Sequence, residues 1–235
     1  MLASACESSA SSGEAKLVET PVPLTEPPVP LEVEITGCEG GERATMSGSC
    51  AEYDWSVGVC DEETTPLRPA TLYGRCKHEL HRIVRGMEKV ELGWARLFFL
   101  YGPGEHPDRL VSSVALSLLQ GRPALCSAGT QERDFLYAPD AADGLVSLLH
   151  SDACGAFNVA SGRCVAVRRV VETVADVLNA RHLLHLGRPM PPGEPVTLGA
   201  SVSRIHQALG WSPRFSLEEG LTRTVKWWQN RLQAA

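Results

Sequence analysis

A tyrosine and a lysine four residues apart are the first residues of this sequence whose types and spacing could do chemistry. Tyr73 and Lys77 lie in the stretch LYGRCK, and Ser49 lies upstream in GSCAEYD. On a helix, residues i and i+4 share a face, so the phenol and the ammonium would point the same way. A free tyrosine has a pKa of about 10, and a nearby ammonium lowers that pKa because it favours the phenolate.

The serine adds a hydroxyl that can hydrogen-bond a substrate oxygen and hold it against the tyrosine. Together the three residues predict proton transfer at an alcohol or ketone whose carbon exchanges hydride with a nicotinamide ring. The Tyr-x-x-x-Lys spacing arises by chance in many helices, and an isolated match indicates only an exposed tyrosine beside a solvated lysine. The prediction therefore depends on the surrounding sequence.

The elements that must position these residues alternate between strand and helix. A strand is predicted over 43–49, running into the loop that carries Ser49, and a helix over 70–87 carries Tyr73 and Lys77. The glycine-bounded apolar run 93–101 is typical of a strand buried on both faces. Further strands are predicted at 133–137, 155–161 and 164–167, and further helices at 109–121, 139–150, 167–179, 201–211 and 216–231.

Two helix starts carry sequence signals. Asp140 is predicted to be the N-cap of the helix over 139–150. Ser216 and Glu219 have the spacing of a capping box. The alternation of the elements predicts an α/β fold with a mostly parallel sheet under helical cover. Residues 1–30 are rich in Ser, Glu and Pro without apolar periodicity, which favours a disordered or loosely attached tail.

Composition excludes several classes of function. The formal net charge is −6, with Lys and Arg scattered along the chain, which argues against a nucleic-acid surface. No run approaches the about 18 apolar residues of a membrane span. The eight cysteines form no Cys-x-x-Cys pair, and no secretory signal precedes them. We therefore expect reduced cysteines in a cytoplasmic protein that binds neither nucleic acid nor membrane.

Several separate motifs occur in an order that resembles one protein family. They are SGSCAEYD, EETTPLRPATLYGRCK, RLFFLYGPGE, RDFLYAPDAADGL, FNVASG and LGWSPRFSLEEGL. Residues from about 44 to 232 resemble the later two-thirds of an extended short-chain dehydrogenase/reductase, specifically the NAD(P)-dependent sugar-nucleotide epimerases, dehydratases and reductases. The resemblance implies that Ser49, Tyr73 and Lys77 are catalytic and that Tyr73 and Lys77 also bind the cofactor, NAD or NADP.

By the same resemblance, Arg133 falls where the family contacts the diphosphate of its nucleotide-sugar substrate. A guanidinium suits that task because it offers a two-pronged set of donors to phosphate oxygens. The alternative interpretation is a surface arginine paired with Asp134 or Glu132, which would contribute little.

The reaction is narrowed by two positions. The 4,6-dehydratases of the family carry an Asp-Glu pair directly after the serine position, where this chain has Cys50 and Ala51. Dehydration is therefore disfavoured, whereas 4-epimerisation and 4-keto reduction stay open. An acid–base pair of Cys50 and His106 can be imagined, but a buried thiol and a loop histidine are favoured. Phe99 stands where many members have an asparagine that helps to hold the nucleotide sugar.

The cofactor-binding half is the weak part of the resemblance. The family's first unit carries a Gly-x-x-Gly-x-x-Gly turn for the pyrophosphate. Here the candidate is TGCEGG, residues 36–41, but Arg43 stands at the third glycine position and no helix fits before Ser47. We predict instead a loop or frayed helix leading into the strand of Ser49. The predicted fold is thus a Rossmann-like sheet lacking its first strands over 31–100, followed by a smaller α/β substrate-binding region over 101–235 with interleaved sheet strands.

Two classes of function follow. The first is NAD(P)-dependent modification of a nucleotide-activated sugar by a 4-epimerase or 4-ketoreductase. The alternative is a truncated, non-catalytic relative that binds a sugar nucleotide or a partner subunit. Because the helix over 70–87 pairs between subunits in relatives, a homodimer is expected, and a second chain that supplies the missing strands is the other partner hypothesis.

Overall fold

The computed structural model describes residues 6–8, 37–38, 41–87, 90–189 and 193–234. The strands are β1 Cys6–Ser8, β2 Gly37–Cys38, β3 Gly41–Ser49, β4 Val59–Cys60, β5 Val90–Leu97, β6 Phe99–Tyr101, β7 Ala124–Ser127, β8 Glu132–Tyr137, β9 Gly155–Val159, β10 Cys164–Ala166, β11 Leu184–Arg188 and β12 Thr197–Ala200. The helices are α1 Leu72–Arg85, α2 Leu110–Leu119, α3 Ala138–Leu149, α4 Val167–Val177, α5 Ser203–Leu209 and α6 Leu217–Gln233. The predicted α/β class is confirmed.

The central sheet has the strand order β2-β3-β5-β9. Strands β3, β5 and β9 run parallel, and β2 pairs antiparallel with the start of β3. Helix α1 packs on β3 and β5, and α3 also contacts both strands. Because the strands are parallel, their carboxyl ends meet at one edge of the sheet, where ligands bind in open α/β sheets.

The described residues form two further sheets. Strands β10, β8, β12 and β4 form a sheet in which β6 also pairs with β8, and β1, β7 and β11 form another. The pairings of β6 and β12 with β8 are parallel, so the prediction of mostly parallel pairing is confirmed.

The apolar run predicted as a single strand over 93–101 is two strands in different sheets. Leu97 pairs with Val159 of the central sheet, whereas Phe99 pairs with Phe135 of β8. The chain crosses between the sheets at Phe98, which is buried. Since both strands are largely covered, the apolar pattern is the same on either side of the crossing and does not reveal it.

The prediction that Asp140 is an N-cap is wrong. Helix α3 begins at Ala138, with Tyr137 as its N-cap residue. The Asp140 carboxylate is buried and accepts hydrogen bonds from the main-chain N–H groups of Arg214 and Phe215, at 3.2 Å each. It therefore satisfies the main chain that leads into α6, which a local sequence pattern does not reveal.

Other local predictions are confirmed. Ser216 and Glu219 form the predicted capping box of α6.

Of the predicted tail over 1–30, the structure describes Cys6–Ser8, whose main chain pairs with β7, and the other residues lie outside the described part. The boundaries predicted at residues 30 and 100 stay predictions. No helix in the described ranges is long and apolar enough to span a bilayer.

The apolar core of the described residues consists of three clusters. The largest packs α2, α4 and α6 against β7 and β8, and a second lies between α3 and the central sheet. The third lies where the sheets meet, below the loop after β3, and consists of Cys50, Tyr53, Cys60, Phe98, Ala160, Leu198 and Ala200. Two members of this third cluster, Cys50 and Tyr53, belong to the segment that directly follows Ser49, the predicted catalytic serine.

Candidate active site

Ser49 is the last residue of β3 and the N-cap of a single 3₁₀ turn, Cys50–Glu52. Its Oγ accepts a hydrogen bond from the N–H of Ala51 at 3.2 Å. Its own N–H donates to Oε1 of Glu52 at 2.7 Å. These reciprocal contacts form a capping box, so both the main chain and the hydroxyl of Ser49 are held in place at the carboxyl end of β3. Residues 49–52 are called the serine turn below.

Tyr73 lies at the start of helix α1. Thr71 is its N-cap and accepts a hydrogen bond from the N–H of Gly74 at 3.0 Å, which places Tyr73 in the first turn. The Tyr73 side chain is 57% exposed. Gly74 is buried against the serine turn, and a Cβ at this position would overlap the carbonyl group of Ala51. The glycine therefore lets the start of α1 lie directly on the turn that carries Ser49.

Lys77 is anchored to the same strand. Its Nζ donates a hydrogen bond to the carbonyl oxygen of Ser47 at 2.9 Å, two residues before Ser49. The structure thus brings Ser49, Tyr73 and Lys77 to the carboxyl end of β3. A half-buried ammonium and an exposed phenol at this edge suit the ribose and nicotinamide end of a dinucleotide.

A buried carboxylate that sequence reasoning missed lies under this site. Glu52 is fully buried. Besides the Ser49 N–H, its carboxylate accepts hydrogen bonds from Nε1 of Trp94, at 3.1 and 3.2 Å, and from Nε of Arg96, at 3.1 Å. Both donors belong to β5. Since a buried charge needs a partner and satisfied hydrogen bonds, Arg96 in a strand predicted to be apolar on both faces was the available signal.

Arg96 extends this network across the sheet. Its Nη1 donates to the Tyr53 hydroxyl at 3.0 Å, and that hydroxyl donates to Oδ1 of Asn158 at 2.8 Å. The guanidinium also lies over the Tyr53 ring, 4.7 Å from the centroid. Burial raises the pKa of Tyr53, so this phenol stays protonated and serves as a donor. The serine turn is thereby tied to β5 and β9.

His81 connects the network to α1. Its ring stacks on Trp94 with 4.6 Å between centroids, and its Nδ1 lies 4.0 Å from Oε2 of Glu52. Burial, followed by the positive charge of Arg96, lowers the pKa of His81 from 6.5 to about 4, against the opposing pull of Glu52. The imidazole is therefore neutral near pH 7. His81 lies one turn beyond Lys77, so the helix of Tyr73 and Lys77 rests on the same buried group as the serine.

Arg133 lies on β8, in the neighbouring sheet, and is almost completely buried. Its Nη2 donates to Oε2 of Glu194 at 2.6 Å and its Nη1 to the main-chain carbonyl of Glu132 at 2.7 Å. Its guanidinium lies 5.6 Å from the centroid of Phe99. The Phe99 ring therefore faces the cation but offers it no hydrogen-bonding group.

The alternative interpretation of Arg133 as a surface residue paired with Asp134 or Glu132 is wrong. The Asp134 carboxylate accepts hydrogen bonds from Ser161 and from the N–H of Gly162, and the Glu132 carboxylate accepts from Oγ1 of Thr197 at 3.2 Å. Side chains alternate along a strand, so neither neighbour faces the guanidinium. The true partner is 61 residues away in sequence.

The imagined acid–base pair of Cys50 and His106 is not formed. The Cys50 thiol is buried in the third core cluster, and burial raises its pKa to about 12. His106 is exposed in the loop after β6, with Nδ1 3.7 Å from Oδ2 of Asp108. The preferred prediction of a buried thiol and a loop histidine is confirmed.

Of the TGCEGG stretch, the structure describes Gly37, Cys38 and Gly41. Gly37 and Cys38 pair antiparallel with Glu42 and Gly41, and Gly41 begins strand β3, which continues to Ser49. For these described residues the prediction of a loop or frayed helix is wrong, because they belong to strands. A dinucleotide phosphate loop leads into a helix, whereas Gly41 leads into a strand.

Comparison with known proteins identifies relatives of this chain. A family model described as "NAD dependent epimerase/dehydratase family" matches residues 33–160, more than half of the chain. UDP-glucuronic acid decarboxylase 1 of Arabidopsis thaliana is 31% identical over 146 residues, which are 61% of this chain and 33% of the relative. YtcB of Bacillus subtilis, described as an uncharacterized UDP-glucose epimerase, is 28% identical over 169 residues, which are 69% of this chain and 53% of the relative.

Solved structures agree with this result. MoeE5 in complex with UDP-glucose and NAD is 30% identical and superposes with a TM-score of 0.72, covering 82% of this chain and 67% of MoeE5. The chain spans between a third and about half of the length of the two curated relatives.

Proposed function

The chain belongs to the NAD dependent epimerase/dehydratase family, and from this premise we propose that it modifies a nucleotide-activated sugar by 4-epimerisation or 4-keto reduction, with NAD or NADP. One observation carries the proposal. Ser49, Tyr73 and Lys77 lie at the carboxyl end of β3, where the Glu52 carboxylate holds the serine turn and Gly74 lets α1 lie against that turn.

In this proposal Tyr73 transfers the proton at the C4 oxygen of the sugar. The Ser49 hydroxyl donates a hydrogen bond to the same oxygen and orients it. The Lys77 ammonium stabilises the phenolate by its charge, and with Tyr73 it also holds the ribose next to the nicotinamide. A bound cofactor would supply the hydride acceptor and donor. Arg133 contacts the diphosphate of the substrate.

Dehydration is disfavoured by the chemistry of the serine turn. The two residues after Ser49 are a buried thiol with a raised pKa, Cys50, and the methyl group of Ala51. Neither can accept or deliver a proton near neutral pH and expel water from the sugar.

The identities of the relatives support a uridine-diphosphate sugar as the substrate class. The names of both curated relatives contain a UDP-sugar, and MoeE5 was solved with UDP-glucose and NAD. One observation favours the second candidate, a non-catalytic relative that binds a sugar nucleotide. It is the antiparallel pairing of Gly37 and Cys38 with the start of β3, because a pyrophosphate loop leads into a helix and Gly41 leads into a strand.

The two candidates are separated by measuring turnover and binding on the same samples. The full chain is incubated with UDP-glucose or UDP-glucuronate and NAD⁺ or NADP⁺, which tests epimerisation, and with a UDP-4-keto-sugar and NADH or NADPH, which tests reduction. The products are resolved by ion-exchange chromatography. UDP binding is measured by calorimetry. Tyr73→Phe removes the hydroxyl and keeps the ring. We expect the wild type to convert a UDP-sugar and Tyr73→Phe to be slower by about 100-fold or more, with UDP affinity unchanged.

Three results are decisive. Conversion lost in Tyr73→Phe supports the enzyme. UDP binding without conversion under any condition rejects the enzyme and supports the binding protein. Absence of both conversion and UDP binding from a folded protein, verified by circular dichroism, rejects both candidates.

A further inference from the structure

The guanidinium of Arg133 already has an anionic partner inside the protein. The distance from Nη2 to Oε2 of Glu194 is 2.6 Å, typical of a short charge-assisted hydrogen bond. The Arg133 side chain is 1% exposed and that of Glu194 is 19% exposed. Of the two partners, Glu194 is therefore the one that reaches solvent.

The contact is fixed by the neighbouring sheet. Strand β12 pairs parallel with β8, with Leu198 opposite Arg133. The Glu132 N–H also donates to the carbonyl oxygen of Val196 at 2.8 Å. Glu194 thus lies two residues before a segment that is bonded to the strand of Arg133. The Glu194 side chain is therefore held to Arg133 by its own hydrogen bond, whereas the strand pairing depends on the main chain.

The other groups around Arg133 do not neutralise it. Glu132 and Asp134, the adjacent carboxylates, are bonded to Thr197 and to the 161–162 loop. The Phe99 ring on the guanidinium carries no formal charge. The Arg133 guanidinium and the Glu194 carboxylate therefore form an ion pair with each other. An incoming phosphate would have to displace Glu194 from Arg133, and it would be repelled by the negative charge of Glu194.

We infer that Glu194 is an internal competitor for the diphosphate: a nucleotide sugar binds Arg133 by replacing the Glu194 carboxylate, so that Glu194 sets the affinity of the site for nucleotide diphosphates. This inference rests on the proposed function, which assigns Arg133 to the diphosphate. A diphosphate can replace the carboxylate because it carries more negative charge. It would take over Nη2, which Glu194 engages, while Nη1 stays bonded to the Glu132 carbonyl oxygen.

Glu194→Gln tests the competition with the least change in shape. The amide oxygen can still accept the hydrogen bond from Nη2, but the negative charge is gone. Glu132→Gln is the matched control, because it removes the same charge from β8 itself, at a carboxylate bonded to Thr197. Arg133→Gln removes the cation.

The experiment is calorimetric titration of each full-length variant with UDP at low ionic strength. We expect UDP to bind Glu194→Gln at least about tenfold more tightly than the wild type, Glu132→Gln within about twofold of the wild type, and Arg133→Gln more weakly than either. Circular dichroism verifies folding. If Glu194→Gln does not fold, Glu194→Asp is used, because its shorter side chain weakens the pair while keeping the charge, and it should also tighten UDP binding.

The failure of this inference is distinguishable from the failure of the proposed function. UDP binding by the wild type that is unchanged or weaker in Glu194→Gln overturns the inference and leaves the proposed function standing. Equal gains in Glu132→Gln and Glu194→Gln also overturn it, because the effect is then one of net charge. If neither the wild type nor Glu194→Gln binds UDP at roughly 1 mM, the proposed function fails and the inference falls with it.

Discussion

The Glu52 carboxylate accepts a hydrogen bond from the main-chain N–H of Ser49. The same carboxylate also accepts hydrogen bonds from Trp94 and Arg96 on β5. The candidate catalytic residues could be predicted from the sequence because their types and the Tyr-x-x-x-Lys spacing are local. The role of Glu52 in the buried network could not, because its partners on β5, Trp94 and Arg96, lie more than 40 residues away. At the scale of single residues, the sequence thus shows which groups could react, and the fold decides what holds them.

His81 gives this network a pH dependence. Its folded-state pKa of about 4 lies below its ordinary 6.5, so between these values the unfolded chain binds more protons than the folded one. The free energy of unfolding therefore rises with pH across this window, and the contribution of His81 is lost as pH falls from about 6.5 to about 4. The charged or titratable groups around His81 are Arg96, Glu52, Arg85 and His78.

We expect His81→Phe to reduce this dependence, because phenylalanine keeps a ring on Trp94 but binds no proton. Between pH 7 and pH 4 the wild type should lose roughly 1–3 kcal/mol of unfolding free energy relative to the variant. Urea denaturation at both pH values measures it. Glu105 has the opposite slope, because burial raises its pKa to about 7, so the informative quantity is the difference between the two proteins. A constant difference from pH 7 to pH 4 contradicts the prediction, and His206→Phe, at an exposed histidine, is the control.

At the scale of elements, the site depends on how closely α1 approaches the serine turn. Gly74 permits this approach, since a side chain there would overlap the Ala51 carbonyl. We expect Gly74→Ala to lower the free energy of unfolding by about 1–3 kcal/mol, as overpacking does, and to loosen the start of α1. Urea denaturation measures the first effect, and hydrogen exchange of the peptides that cover 49–53 and 72–77 measures the second.

Gly86→Ala is the matched control at the other end of the same helix. Gly86 has a φ of −80°, and a Cβ there would meet its nearest atom, the Ile83 carbonyl oxygen, at 3.4 Å, an ordinary contact. This variant should be neutral or slightly stabilising, within about 1 kcal/mol. Equal stability of the two alanine variants would show that α1 does not rest on Gly74 as described.

The helices were predictable because apolar spacing and a capping box are local, as Ser216 and Glu219 illustrate. The sheets were less so. The crossing at Phe98 from β5 to β6 leaves no mark in the apolar run, because both strands are covered. Strand partners are chosen by contacts distant in sequence, and a single-sequence pattern does not contain them.

At the scale of the whole molecule, the candidate residues lie in two sheets. Ser49, Tyr73 and Lys77 belong to the central sheet and its helix, whereas Arg133 lies on β8 and its partner Glu194 just before β12. The partner of Arg133 could not be predicted, since no local pattern connects positions 61 residues apart. The hypothesis of a second chain that supplies further strands stays a prediction.

The outer face of α1 supports the expected homodimer. Apolar side chains recur along it at helical spacing, with Leu72 70%, Leu80 37% and Ile83 67% exposed. With the exposed Cys76 between the first two, the steps are four, four and three residues, which keeps them on one stripe of the helix. An exposed apolar stripe of this length favours burial against an equivalent helix.

We therefore predict that the chain forms a dimer through α1 and that Ile83→Asp converts it to a monomer, because the substitution would bury a charge within the stripe. Size-exclusion chromatography with multi-angle light scattering measures the mass at several protein concentrations. Val146→Asp is the control, since Val146 is 54% exposed on α3, away from the stripe, and should remain dimeric. A monomeric wild type, or a dimer that tolerates Ile83→Asp but not Val146→Asp, would move the interface away from α1 and leave Tyr73 open to solvent.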